Sequence, residues 1–214
     1  MSIMTAVSEN PVLWLLHRMK VKSIDYIAWR LKGRPLPCPH IIKEKTVQQY
    51  AKDYNLEFLV ETGTFMGDMV CSTKGIFKNI ISIELDPKLA EIAQKKFKNA
   101  SNVNIICGDS GEKLAEVTKN LNGSALFWLD AHYSAGVTAR GNKDTPIISE
   151  LEAIFSNMKN GSYLLLIDDA RSFIGENDYP ELEYLKKYVL ERDPNLEFFV
   201  EKDIIHFIPK NFVN

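Results

Sequence analysis

From about residue 41 onward, short apolar runs alternate with segments of helical periodicity, which restricts the fold. Five of these runs have the length of strands: residues 57–61, 80–84, 103–107, 125–129 and 163–167. Continuous apolar strands between helices predict a parallel sheet that is buried on both faces. Two final runs, 196–200 and 204–208, are joined by three residues, too few for a crossover, so we expect them to pair antiparallel. The prediction is an α/β fold with a doubly wound, seven-stranded sheet, mostly parallel with a C-terminal antiparallel hairpin.

Acidic residues gather at one end of the predicted strands. Each of the five parallel strands ends at, or within two residues of, a carboxylate: Glu61, Glu84, Asp109, Asp130 and the pair Asp168-Asp169. The carboxyl ends of parallel strands share one edge of the sheet, which is where open α/β sheets bind their ligands. Acids that only increased solubility would fall at both ends of the strands, so this bias indicates a ligand site.

The turn after the first strand narrows the choice of ligand. It runs E-T-G-T-F-M-G from Glu61 to Gly67. Gly63 permits backbone conformations closed to other residues, and Gly67 allows the next helix to approach the strand. Phe65 stands where the fingerprint G-x-G-x-x-G has its middle glycine, which disfavours a pyrophosphate lying against the backbone. A ligand with an amino-acid tail, held by Glu61 and a few amides, is compatible with this turn.

Two further acidic positions suit a nucleoside. Glu84 lies 21 residues after Gly63, where a carboxylate can accept hydrogen bonds from both ribose hydroxyls. Asp109 and Ser110 follow the third strand, where a carboxylate can meet an adenine amino group and a backbone amide the ring nitrogen. The alternative is simple capping of the next helix, with Ser110 as the N-cap.

The order of these motifs resembles that of the class I S-adenosylmethionine-dependent methyltransferases. E-x-G-x-x-x-G is followed by an acid after the second strand, G-D-S after the third and L-D-A after the fourth. The resemblance covers roughly residues 41–214 and implies a Rossmann-like domain that transfers a methyl group from S-adenosylmethionine. The residues that it implies for cofactor binding are Glu61, Gly63, Thr64, Gly67, Glu84, Asp109, Ser110 and Asp130.

Within that superfamily, the chain is similar to the metal-dependent O-methyltransferases of the catechol and macrolide or aminocoumarin-sugar types. The similarity rests on F-W-L-D-A-H, from Phe127 to His132, and on I-D-D, which ends at Asp169. It implies a divalent metal, Mg²⁺, held by Asp130, Asp168 and Asp169. Clustered carboxylates are unfavourable without a cation, Mg²⁺ prefers oxygen ligands, and a metal-bound hydroxyl loses its proton more easily.

The residues of this predicted metal and catalytic site are also compatible with simpler roles. Asp168 and Asp169 can pair with Arg171 and fix a loop. His132 can act as a general base, because an imidazole pKa of roughly 6.5 suits neutral pH. It can also serve only to orient its loop.

The segment 133–145 is long and rich in small residues, and it follows the strand that ends in Asp130. These properties are typical of a lid or substrate loop, with Arg140 and Lys143 as anchors for an anionic acceptor; the alternative is an ordinary surface loop. The predicted catalytic residues are therefore Asp130, His132 and Arg140. The subgroup resemblance implies O-methylation of a small molecule or a glycan.

Residues 1–40 differ in character from the domain predicted for residues 41–214. Apolar residues in 12–16 and 24–31 are interleaved with basic ones and indicate one or two short amphipathic helices. Three prolines between residues 35 and 39 then favour an extended linker. We expect this helical arm to contact a membrane surface or a second copy in a homodimer through residues 12–34, unless it folds over the edge of the sheet.

Charge and cysteine content bound the remaining possibilities. The chain carries a net charge of -2, yet residues 1–52 hold nine Lys/Arg against three Asp/Glu. The overall balance gives no reason to expect nucleic acid as a partner. Three distant cysteines do not suit a disulfide framework, and no signal peptide is evident. We therefore expect a cytoplasmic protein, peripheral to the membrane where the arm binds one.

Two other functions use the same sequence features. An NAD-linked oxidoreductase would share the sheet and Glu84, but the chain lacks G-x-G-x-x-G and an evident Tyr-Lys pair for hydride transfer. A non-catalytic module would bind the cofactor and use the basic arm to recruit a partner. Methylation of nucleic acid is disfavoured, because Asp130 and the three residues after it do not form the N-P-P-Y type of motif.

Overall fold

A computed structural model describes residues 11–130, 145–159 and 162–212, with side chains from residue 21 onward. The helices in these ranges are α1 (Pro11–Leu31), α2 (His40–Asp53), α3 (Asp68–Thr73), α4 (Pro87–Phe97), α5 (Ser110–Lys119), α6 (Ile147–Asn157) and α7 (Leu182–Arg192). The strands are β1 (Phe58–Thr62), β2 (Asn79–Glu84), β3 (Val103–Cys107), β4 (Ala125–Leu129), β5 (Tyr163–Ile167), β6 (Leu196–Glu201) and β7 (Ile204–Pro209). A 3₁₀ turn at Ala170–Ser172 follows β5.

The strands form one sheet in the order β3-β2-β1-β4-β5-β7-β6. Strands β1 to β5 pair in parallel, whereas β7 runs antiparallel to both β5 and β6. The predicted fold class is therefore confirmed, including the C-terminal hairpin. The strand order reverses direction between β1 and β4, which leaves a crevice beyond their carboxyl ends.

Strands β4 and β5 form the centre of the core. All ten residues of the two strands are buried, and Phe127 and Trp128 have no exposed surface. Phe127 packs in a cluster with Leu114 and Leu151, whereas Trp128 packs in a second cluster with Val47. Burial of a large apolar side chain contributes about 1.5–3 kcal/mol of transfer free energy. Because both faces are covered, these strands lack the polar alternation of a sheet with one wet face.

Some helix boundaries and one cap differ from the sequence-based expectations. The sequence pattern predicts a helix over residues 68–77 after the glycine turn. Helix α3 instead ends at Thr73, because the chain turns there and Thr73 O accepts hydrogen bonds from the N–H groups of Ile76 (2.8 Å) and Phe77 (3.3 Å). The N-cap of α5 is Asp109, not Ser110, since the Asp109 side chain accepts a hydrogen bond from the Gly111 N–H at 2.8 Å.

In its described part, from residue 11 onward, the N-terminal arm forms α1, a helix of 21 residues, where the sequence predicted one or two short helices. Its described side chains contact α2: Lys22 forms an ion pair with Glu44, and Lys45 Nζ lies 5.1 Å from the centre of the Tyr26 ring. Several apolar side chains stay exposed, with Leu31 at 83%. Across the described residues, no helix has the length and apolar character needed to cross a membrane.

Candidate active site

The glycine turn connects β1 to α3 at the crevice. Gly63 has φ +86° and donates its N–H to Ile83 O at 2.9 Å, which holds the turn against the end of β2. Gly67 has φ +67° and precedes α3. A Cβ atom at Gly67 would lie 2.7 Å from Cε2 of Phe97, so this position requires glycine for both conformation and space.

Phe65 holds an unusual backbone conformation within this turn. Its φ is +47°, a left-handed value that costs a non-glycine residue roughly 1–2 kcal/mol. The conformation directs the Phe65 N–H to Oε2 of Glu84 at 2.7 Å. Its side chain is 47% exposed. Strained residues of this kind concentrate at ligand sites.

Glu61 lies beneath the turn and is almost completely buried. Its carboxylate accepts a hydrogen bond from Ser82 Oγ, and the Ser82 hydroxyl is also 2.6 Å from Thr64 Oγ1. Burial raises the pKa of Glu61 to about 8, although the Ser82 hydrogen bond acts in the opposite direction. A cationic ligand group next to Glu61 would compensate the buried carboxylate, as expected for the ammonium group of an amino-acid tail.

Glu84 ends β2 as predicted and is already oriented by the backbone. In addition to the Phe65 contact, its Oε1 accepts a hydrogen bond from the Asp86 N–H at 2.9 Å. A carboxylate oxygen has two lone pairs, so each retains capacity for a ribose hydroxyl. Asp109 lies beyond β3, and Ser110 is buried beside it. The adenine role of Asp109 and Ser110 stays a prediction, and their helix-capping alternative is present for Asp109.

A small cleft opens where β4 and β5 end. Asp130 and Asp168, which follow the two strands, line it together with Phe173 and Tyr179. The rings of Phe173 and Tyr179 meet edge to face with 5.2 Å between their centres. The cleft combines two carboxylates with an aromatic wall.

Glu150, on the first turn of α6, also lines this cleft and was not among the predicted site residues. It is 1% exposed, and burial raises its pKa to about 7, against the effect of hydrogen bonds from Ser110 and Thr62. An acid in a first helical turn is usually explained by the helix dipole. The sequence therefore contained no separate signal for its burial.

Lys43, on α2, brings a cation to the end of β5. Its ammonium donates a hydrogen bond to Asp168 Oδ2 and lies 3.5 Å from Asp169 Oδ1. Burial alone would lower the pKa of Lys43, but Asp168, Asp130 and Asp169 together raise it above its ordinary value. Arg171 Nη1 pairs with Asp169 Oδ1 at 2.8 Å. The predicted alternative, an ion pair between the aspartates and Arg171, is therefore present for Asp169.

The arrangement of Asp130, Asp168 and Asp169 does not fit a divalent metal. Their oxygens are not gathered as a metal requires: in the described ranges, the metal-compatible grouping is instead His40, Glu44 and Asp68, whose ligand atoms lie within 4.8 Å of one another. The Lys43 ammonium already contacts Asp168 and Asp169. The predicted Mg²⁺ site stays a prediction that this geometry does not favour.

Two of the predicted catalytic residues lie outside the described residues. His132 and Arg140 fall within 131–144, as do Tyr133 and Lys143. The predicted lid therefore stays a prediction. Asp130 is described, and its N–H donates to Thr62 O at 3.1 Å, which joins the ends of β4 and β1.

Comparison with solved structures places this geometry in a known fold. An O-methyltransferase from Bacillus cereus in complex with S-adenosylhomocysteine is 13% identical, with a TM-score of 0.59 over 95% of this chain and 96% of that chain. TomG, a Streptomyces achromogenes O-methyltransferase of tomaymycin synthesis bound to S-adenosylmethionine, is 16% identical with a TM-score of 0.56, over 87% of this chain and 86% of its own. The Podospora anserina methyltransferase PaMTH1, bound to S-adenosylhomocysteine, is 17% identical with a TM-score of 0.54, covering 79% and 78%.

These similarities establish the fold of the chain as that of the class I S-adenosylmethionine-dependent methyltransferases. They extend over most of this chain, in agreement with the resemblance seen in the motif order. No protein-family model matches the sequence, and no curated protein matches it.

Proposed function

We propose that this protein is an S-adenosylmethionine-dependent methyltransferase that methylates a hydroxyl group of a small molecule or sugar. One observation carries the proposal: buried Glu61 and Glu84 flank a glycine turn at the carboxyl edge of a sheet with methyltransferase strand order. The carboxylates complement an ammonium group and a ribose diol respectively. The O-methyltransferases among the similar structures support the oxygen acceptor.

Cofactor binding in this proposal follows from the local contacts. Glu61 pairs with the ammonium of the methionine tail, and the carboxylate of the tail lies against the turn from Gly63 to Gly67. Glu84 accepts hydrogen bonds from the ribose hydroxyls. Asp109 and Ser110 lie where the adenine ring would reach beyond β3. Asp130 follows β4 and lines the cleft together with Phe173 and Asp168, so we expect the methyl group to be delivered there.

The transfer itself needs positioning more than chemistry from the protein. The acceptor oxygen forms a bond to the methyl carbon while the carbon–sulfur bond breaks. The electron pair of the broken carbon–sulfur bond goes to sulfur, and the sulfonium becomes a neutral thioether. The hydroxyl proton passes to a base, for which Asp130 at the cleft and His132 are the candidates. These bonds and charges balance without Mg²⁺, and Asp168 and Asp169 contact the Lys43 ammonium instead.

The experiment is a product screen with isotopically labelled S-adenosylmethionine and a panel of sugars, polyols and catechols. We expect a methylated product from at least one hydroxyl class, detected by mass spectrometry. Glu84→Gln should reduce its rate at subsaturating cofactor by about tenfold or more, since it weakens a charge-assisted hydrogen bond. Glu91→Gln is the matched control, because Glu91 pairs only with its exposed helix neighbour Lys95 among the contacts described. The proposal is contradicted if, with every acceptor in the panel, the wild type forms S-adenosylhomocysteine no faster than Glu84→Gln does.

A further inference from the structure

The Lys43 ammonium lies where the carboxylates of two neighbouring strands converge. The Lys43 side chain is 12% exposed, and that of its partner Asp168 is 1% exposed. The two residues are 125 positions apart in sequence, so the contact depends on the docking of α2 onto the sheet edge. A surface lysine usually keeps its ammonium in water. The Lys43 ammonium instead gives up hydration, and its contacts with two carboxylates compensate that cost.

The buried carboxylates at this edge of the sheet require a positive charge beside Asp168. Asp168 and Asp169 are consecutive and buried, and Asp130 lies close enough to raise the pKa of Lys43. Arg171 is shared between Asp169 and Asp203, so it leaves Asp168 to Lys43. A buried carboxylate without a partner is strongly destabilising. Within the described contacts of Asp168, Lys43 supplies that positive charge.

A divalent ion and the ammonium compete for the same oxygens. Mg²⁺ requires an octahedral shell of oxygens at about 2.0–2.1 Å, which the ammonium excludes from Asp168 while it is hydrogen-bonded there. We propose that Lys43 is the resident cation of the Asp130, Asp168 and Asp169 cluster and takes the electrostatic place of a divalent metal. This inference rests on the proposed methyltransferase site and deepens it. Lys43 is a positioning residue that holds the Asp168 carboxylate at the cleft.

Loss of the ammonium has a consequence that is independent of turnover. Removing it while nearly keeping the volume, as in Lys43→Met, takes the ammonium away from Asp168, whereas Asp169 keeps its contact with Arg171. The oxygens of Asp130, Asp168 and Asp169 are not gathered for a metal while the ammonium holds Asp168. Once it is gone, a divalent ion in its place can draw them together, so we expect this variant to bind one. The wild-type protein and Lys43→Arg, in which a fixed positive charge remains, should not. Lys52→Met is the matched control, because Lys52 is an exposed lysine on the same helix.

The test is titration of each metal-free protein with Mn²⁺, with bound ion followed by electron paramagnetic resonance. We expect no stoichiometric binding by the wild type, Lys43→Arg or Lys52→Met, and one ion bound by Lys43→Met. The double variant Lys43→Met/Asp168→Asn should lose that ion. Stoichiometric Mn²⁺ binding by the wild type that Asp168→Asn abolishes overturns the proposal. Failure of a folded Lys43→Met to bind Mn²⁺ also overturns it, because the ammonium would then not occupy the place of a divalent ion.

S-adenosylhomocysteine affinity, measured on the same samples by calorimetry, separates this inference from the proposed function. We expect Lys43→Met to bind S-adenosylhomocysteine within about threefold of the wild-type affinity. Loss of cofactor binding by all the proteins, including the wild type, defeats the methyltransferase proposal. The Mn²⁺ binding of the variants tests the role of Lys43 independently of cofactor binding. If Lys43→Met does not fold, Lys43→Gln, which retains a hydrogen-bond donor, takes its place with the same expected gain of Mn²⁺ binding.

Discussion

Two buried glutamates at the carboxyl edge of the sheet hold their protons up to near-neutral pH. Burial raises the pKa of Glu61 to about 8 and that of Glu150 to about 7. Each group contributes stability that is fully present below the unfolded pKa and is lost as pH rises through the folded pKa. This edge of the sheet is therefore least stable when both are ionised, which is also when a cationic ligand binds best.

Glu61 predicts a pH-dependent affinity for the cofactor product. Because the ammonium of S-adenosylhomocysteine favours ionised Glu61, binding below about pH 8 must release a proton. Affinity should therefore rise by up to about tenfold per pH unit from pH 6 to pH 7.5. The neighbouring charges are Asp130, Glu84 and Lys96.

In Glu61→Gln, the affinity should fall by about tenfold or more at pH 7.5 and lose most of this pH dependence. Calorimetry in buffers of different ionisation enthalpy measures both the affinity and the released proton. An affinity of the wild type that is flat across this range is incompatible with a buried, protonated Glu61.

Glu150 predicts a change in the pH dependence of stability. Its folded pKa of about 7 lies above the ordinary value of 4.5, so the ligand-free wild type loses stability between about pH 5 and pH 8. The loss from this group is on the order of 3 kcal/mol. Glu150→Gln keeps the side-chain shape but cannot ionise, and should lose correspondingly less over the same range. Denaturant unfolding at each pH measures the difference, and parallel curves for the two proteins refute the assignment.

The acids at strand ends could be predicted from sequence, whereas Lys43 and Glu150 could not. Glu61, Glu84 and Asp130 each follow an apolar run, and strand direction alone brings them to one edge. Lys43 appears in the sequence as one of many basic residues on an amphipathic helix. Its partner lies 125 residues away, so only the docking of the helix reveals the pair.

At the scale of elements, the strand–turn–helix unit from β1 to α3 determines the geometry of the cofactor edge. Its strand, its turn and the start of its helix were all recognisable, because an apolar run, two glycines and a helical pattern follow one another. The end of α3 was not, since Phe77 is apolar and buried although it lies beyond the helix. In the sequence, an apolar residue that is buried in a turn cannot be distinguished from one on the apolar face of a longer helix.

Gly67 provides a test of this unit. Gly67→Ala places a Cβ atom 2.7 Å from Cε2 of Phe97 and forces a non-glycine residue to φ +67°. We expect a loss of about 1–3 kcal/mol in stability and a weaker affinity for S-adenosylhomocysteine. Gly75→Ala is the control, because its Cβ meets nothing within 4 Å. Equal unfolding midpoints for the two variants would be inconsistent with the close approach at Gly67.

At the scale of the whole molecule, the sheet topology was predictable and the placement of α1 was not. The short link between the last two strands required them to form a hairpin. The alternation of strands and helices in the rest of the domain required parallel strands. By contrast, the amphipathic pattern of residues 12–34 is compatible with burial, a membrane or a second copy. The described side chains of α1 keep Ile24 54% and Ile27 56% exposed, which leaves an apolar surface beside basic residues.

We expect this surface to bind anionic lipid, because the exposed basic residues Arg30 and Lys32 flank the exposed Leu31 in sequence at the end of α1. Sedimentation with phosphatidylserine vesicles should carry down the wild type, and phosphatidylcholine vesicles should carry down less. Ile27→Glu/Leu31→Glu should abolish the sedimentation without changing S-adenosylhomocysteine affinity. A wild-type dimer in analytical ultracentrifugation that the double variant dissociates, without vesicle binding, would assign the surface to a second copy instead.

The most direct measurement is calorimetric titration of the wild-type protein with S-adenosylhomocysteine and, separately, with NAD. A methyltransferase site built on Glu61 and Glu84 should bind one S-adenosylhomocysteine per chain with a Kd in the micromolar range, and Glu84→Gln should weaken it. NAD should give no binding heat, since the turn holds Phe65 in place of the glycine that a pyrophosphate needs. Binding of NAD with no binding of S-adenosylhomocysteine would contradict a methyltransferase function and favour an oxidoreductase.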